Sequence, residues 1–153
     1  MDEKKKKLKL AKGVKYLLDF MFYSGILVTA TLPLSIRIIA KYYETWAKHY
    51  EAAVIIYFVL GVSAVILLRE LRHIFKTVLD EDCFVKENVI SLQKMGNWSF
   101  FIVLMSIVRC TVYLTIAILV VILVFTIAGL FSKVLAMVFD EAVRYKEEND
   151  LTI

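Results

Sequence analysis

The chain has 153 residues, 60% of them apolar and 22% charged, with a formal net charge of +4. The charges are segregated from the apolar runs, which argues against a soluble single-core globule and for a small polytopic membrane domain, residues 1–153 forming one unit. Seven lysines in the first fifteen residues would suit nucleic acid. They run straight into an apolar segment, however, so the positive-inside rule and attraction to anionic lipid account for them, and no direct nucleic-acid binding is expected.

Residues 1–15 form a basic arm, and the apolar run that follows is read as an uncleaved first span over about 16–40. Its uncharged centre, Phe20–Ile36, is bracketed by Asp19 and Arg37. Both are expected to snorkel to the interfaces, Asp19 with Lys15 one turn before it as a partner. Pro33 lacks a backbone donor and is expected to kink or end the helix. In the outer connection Lys41–Glu51, Tyr42, Tyr43, Trp46 and Tyr50 suggest an aromatic belt.

The second span covers about 52–68. Leu71, Ile74, Phe75, Val78 and Leu79 continue its apolar stripe at helical spacing between Arg69, Arg72 and Lys76, so the helix should run on into the cytoplasm. The acidic run Asp80-Glu81-Asp82 breaks it, with Asp82 as an expected N-cap for a helix starting near Cys83 or Phe84. Val85, Val89, Leu92 and Met95 then lead to Gly96, completing a cytoplasmic helical hairpin over 69–96. Its apolar stripes must pack on each other, on the C-terminal helix, on lipid or on a partner.

The segment Trp98–Ser132 carries one formal charge, Arg109, in 35 residues. One helix of that length would measure ~52 Å against a hydrocarbon core of ~30 Å, so it folds back near 109–115 into two spans, about 97–112 and 114–131. A cytoplasmic helix and tail follow over 133–153. Gly129, Gly25 and Gly61 are placed to allow close helix approach, though none forms a GxxxG pair, so the packing signal is weak. Of the nineteen basic residues, fifteen fall on one side of this arrangement and four, Arg37, Lys41, Lys48 and Arg109, on the other. Both termini are therefore expected inside, in an all-α, four-helix transmembrane bundle extended into a cytoplasmic helical layer.

The stretch Phe84-Val85-Lys86-Glu87-Asn88, followed by Leu92 and Gly96, and the ending Lys146–Ile153 resemble an uncharacterised bacterial family, domain of unknown function 2975. The resemblance covers nearly the whole chain. It implies a four-span protein of the bacterial cytoplasmic membrane, and a small helix-turn-helix regulator as a partner. It implies no catalytic residues.

The residues themselves carry no Walker loop, HExxH, GxSxG, CxxC or dinucleotide fingerprint, so neither an enzyme, a metal nor a cofactor is expected. Cys83 and Cys110, and likewise His49 and His73, fall on opposite sides of the membrane, which leaves no disulfide and no shared metal. Charges within spans are functional candidates by default: Asp19, Arg37, and Arg109, which is placed to snorkel, to bind lipid phosphate or to pair with Glu44 or Glu51. The first functional expectation is a non-enzymatic regulator or accessory subunit. It would bind a protein partner through Phe75, Phe84, Asn88, Val89 and the tail residues Glu147, Glu148, Asn149 and Asp150. The alternative is a small transporter, channel or immunity-type protein using a thin polar path past Asp19, Ser24, Thr29, Thr31, Ser35 and Ser63.

Overall fold

In the computed structural model, residues 2–42, 50–80, 82–112 and 114–150 are described. Expectations for the outer-connection residues Tyr43, Glu44, Trp46, Lys48 and His49, for Glu81, and for tail residues 151–153 lie outside the described residues. Among the described residues four helices follow one another: α1 (Asp2–Tyr42), α2 (Tyr50–Leu79), α3 (Lys86–Val112) and α4 (Ile116–Asp150). The all-α expectation holds. Three of the helices contain stretches long and apolar enough to cross a membrane: Lys9–Tyr42, Tyr50–Leu79 and Ile116–Asn149.

The distribution of side chains is that of a protein solvated by hydrocarbon. Phe20, Leu27, Leu104, Leu123 and Ile127 are exposed, while Ser63, Asn88, Ser99 and Ser106 are buried. In water such an apolar surface would drive association, and the buried hydroxyls would contribute little to a core. In lipid the preference between helices falls to small residues that let backbones approach.

Each helix packs on its neighbour in sequence, α1 on α2, α2 on α3 and α3 on α4. Among the described residues α1 packs on neither α3 nor α4. The result is a folded row rather than a closed ring. Small residues set the α1–α2 contact. A Cβ on Gly61 would lie 2.9 Å from Thr29 Oγ1 and 3.3 Å from Leu32 Cδ1, so α2 approaches α1 where only hydrogen fits. Tyr50, at the start of α2, donates from its hydroxyl to Pro33 O at 3.4 Å.

The α3–α4 hairpin has a regular seam. Buried Leu92, Ser99, Ile102 and Ser106 on α3 recur at steps of seven, three and four, and α4, which packs on this helix, buries Ile118, Ser132, Ala136 and Val143. Gly129 sits against Phe100 and Ser99, and the Lys133 stem lies over Gly96. α4 opens with Ile118 N–H donating to Thr115 O at 3.0 Å.

Several local expectations are corrected. The basic arm and first span are one continuous helix, and Pro33 does not end it. Pro33 leaves one carbonyl a turn earlier without its usual donor, yet the helix runs on through it; on either side Thr31 Oγ1 donates to Leu27 O and Ser35 Oγ to Thr31 O. Asp82 does not cap α3, which starts at Lys86 with Val85 O accepting from Asn88 N–H. Instead Asp82 N–H donates back to Thr77 O at 3.2 Å, a six-residue closure of the α2 C-terminus. Gly96 lies inside α3, and its missing side chain leaves room for the Lys133 stem.

Widening position 61 should part the first hairpin. Gly61→Val is expected to lower the thermal midpoint in detergent and to weaken cross-linking between cysteines placed on α1 and α2. Gly13→Val, at a position with open space around it, should change neither.

Candidate functional site

Two features gather polar side chains. The first is a charged cleft of ≈ 700 Å³ between α1, α2 and α3. α1 contributes Lys15 and Asp19, α2 contributes Arg69, Glu70, Arg72, His73 and Lys76, and α3 contributes Glu87, Ser91 and Lys94. All three helices change there from charged to apolar sequence: α1 after Asp19, α2 before Arg69 and α3 after Lys94.

Asp19 is bound by Arg72 rather than by Lys15. The Arg72 Nε donates to Asp19 Oδ1 at 2.5 Å, with both side chains a little over a quarter exposed (27% and 28%). The guanidinium carbon also lies 4.5 Å from the centroid of Phe22 and 5.5 Å from that of Tyr23. The ion pair and the two ring faces together hold Arg72 at the α1–α2 boundary. The i, i+4 partner expected from sequence lost to a residue 53 positions away because the antiparallel packing sets α2 beside Asp19. On the other flank, Ser91 Oγ lies 3.5 Å from His73 Nδ1.

The second feature is the helical layer beyond the cleft. Ile74 of α2, Leu92 of α3 and Ala136 of α4 form its core, with Val78, Met95, Leu135 and Phe139 packed around them. The apolar stripes that leave the bilayer therefore cover one another. Asn88, 0% exposed, ties the turn: its Nδ2 donates to Thr77 Oγ1 at 2.6 Å and to Cys83 O at 2.7 Å. Asn88 Oδ1 and Ser106 Oγ are buried without a hydrogen-bond partner.

The end of α4 is clasped to this turn. Lys146 Nζ donates to Asp82 Oδ1 at 2.8 Å, Lys86 lies 3.3 Å from Glu147, and the Phe84 and Phe139 rings meet at 5.2 Å. Arg144 pairs along its own helix with Glu141 and Glu148. These exposed pairs are individually weak.

The partner-binding candidates thus separate. Asn88 and Val89 are buried within the hairpin, a correction to their reading as partner-binding residues. Helical periodicity did not tell which helix their face would meet. Phe84, Glu147, Glu148 and Asn149 are exposed, Phe75 is half-buried, and the side chain of Asp150 lies outside the described residues. Of the intramembrane charges, Arg37 is exposed, and Arg109 sits over the Tyr57 ring with its guanidinium carbon 4.4 Å from the centroid. Cys83 and Cys110 are free thiols, and no group of three His, Cys, Asp or Glu among the described residues could hold a metal. The close approach offered by Gly61 and Gly129 is borne out; sequence reasoning missed the roles of Arg72 and Tyr57 and the serines that continue the α3–α4 seam. The seam had a signal in the seven-residue spacings Ser99–Ser106 and Gly129–Ala136.

Residues 39–153 match the family described as Protein of unknown function (DUF2975). The chain belongs to that family. The match takes in α2, α3 and α4 and only the last residues of α1, so the clasped helical layer lies wholly within the family's region and most of α1 lies outside it. No curated protein and no solved structure matches the chain.

The Asp19–Arg72 pair should show coupling. Asp19→Asn and Arg72→Gln are each expected to destabilise the α1–α2 hairpin, and the double variant to lose less than the sum, by about 0.5–3 kcal/mol in a denaturation cycle. Strict additivity would mean that the pair holds nothing.

Proposed function

We propose that this protein is a non-enzymatic regulator or accessory subunit of a bacterial cytoplasmic membrane, crossing it four times and binding a protein partner through its cytoplasmic helical layer. The observation that carries this reading is an apolar face left over after the layer has closed. Val134, Met137 and Val138 of α4 are 57%, 68% and 58% exposed. They lie beyond Lys133, at the end of the molecule where the charged cleft and the clasp gather. Phe84, exposed and in ring contact with Phe139, adds a second exposed apolar side chain at this end. The helices carrying these residues are held by the Ile74–Leu92–Ala136 core and by the clasp, so the face is presented on a rigid support. A soluble regulator, of the helix-turn-helix class implied by the family resemblance, is a partner of suitable type.

Packing together with charge supports the four-crossing reading. α3 lies antiparallel against α4 through the apolar zone, so if α4 spans, α3 occupies the same depth. An even number of crossings then keeps the lysine-rich start and the Arg144–Lys146 end on one side, as the positive-inside rule requires.

The transport reading is less well supported. Ser63 Oγ donates to Val59 O, and Ser24, Thr31 and Ser35 donate to carbonyls of their own helix. Asp19 is held by Arg72. These groups serve the backbone and the α1–α2 contact rather than a continuous path.

Two measurements test the proposal. An impermeant maleimide applied to intact cells should label Cys110 alone, and Cys83 only after permeabilisation; the reverse would invert the topology. A photo-reactive benzoylphenylalanine at Met137 should give one discrete protein adduct, whereas the same group at lipid-facing Leu123 should give lipid adducts only. Lipid alone at both positions would refute the partner surface.

A further inference from the structure

We propose that the cleft between α1, α2 and α3 is a binding site for the phosphate headgroup of an anionic glycerophospholipid; this rests on the membrane-embedded reading above. Five permanent cations line it, Lys15, Arg69, Arg72, Lys76 and Lys94, against three carboxylates. One of those carboxylates, Asp19, is already bound to Arg72, which leaves the remaining cations in excess. The guanidinium of Arg72 is fixed by that pair and by the Phe22 and Tyr23 faces, so its other donors are pre-oriented rather than free to swing.

The position argues for lipid rather than a soluble anion. The cleft lies at the level where all three helices pass from charged to apolar sequence, which is where headgroups reside. α1 and α3 both pack on α2 but not on one another among the described residues, so the cleft opens into a seam along the apolar segments. Acyl chains can lie in that seam while the phosphate meets the cations. At ≈ 700 Å³ the space suits a headgroup with its glycerol rather than a bare phosphate ion.

Tryptophan quenching tests this. The chain has two tryptophans, Trp46 and Trp98, and Trp98 stands one turn beyond Lys94 on α3. Full-length protein carrying Trp46→Phe is reconstituted in mixed phosphatidylglycerol and phosphatidylcholine vesicles, with one or the other lipid brominated in its acyl chains. Brominated phosphatidylglycerol is expected to quench Trp98 with about fivefold higher relative affinity. The preference should fall to parity in Arg69→Gln/Lys94→Gln and persist in Arg69→Lys/Lys94→Arg. Both side chains are exposed, so neither pair of changes touches the packed core. Equal quenching by the two lipids, or a preference that survives the glutamine pair, overturns the site. Loss of the preference on adding inorganic phosphate at constant ionic strength assigns the cleft to soluble phosphate compounds and overturns the lipid assignment. Absence of quenching by either lipid overturns the membrane-embedded reading itself.

Discussion

Helices immersed in hydrocarbon gain little by hiding leucine from a solvent that is itself apolar, so close backbone approach has to hold them together. That constraint organises the molecule. Gly61 lets α2 settle against Thr29 and Leu32, and Gly129 lets α4 settle against Ser99 and Phe100. Between these two contacts α2 stands as the middle post, with α1 on one side and the α3–α4 hairpin on the other. The open row leaves a seam between α1 and α3, and the charged cleft occupies the end of that seam.

Where the helices leave the apolar zone the rules change back to those of water. Leu92, Ile74 and Ala136 gather into a small conventional core, and the polar groups around it become specific. Asn88 is the clearest case. It is sealed from solvent and bonds both the last turn of α2 and the carbonyl of Cys83, so a single amide sets the angle at which α3 begins. The clasp of Lys146 on Asp82 and of Glu147 near Lys86 then brings the end of α4 to the same turn. Turn and C-terminal helix form one end of the molecule, and both lie in the region shared with the family.

Much of this was legible along the chain. Hydropathy and length defined the apolar runs, and the reversal near 109–115 agrees with α3 ending at Val112 and α4 beginning at Ile116. The continuation of α2 past the apolar zone was visible as a stripe from Leu71 to Leu79. The site was less legible. Asp19 was recognisable as a costly charge, yet its partner was not, since Arg72 looked like one of several cations on an amphipathic helix. Val89 was visible as part of an apolar stripe that had to be covered, but periodicity does not show which element covers it.

The amino-acid order by itself determined the all-helical class, the apolar segments and the segregation of basic residues, because these depend on local composition and on a 3.6-residue period that any reader of the chain can count. Tertiary structure alone decided which faces meet. The Asp19–Arg72 pair, the Arg109 guanidinium over Tyr57, the burial of Asn88 and the convergence of five cations on one cleft all join residues on different helices. Such meetings are set by the register and rotation of one helix against another, which close contact at a few small residues controls and linear spacing does not.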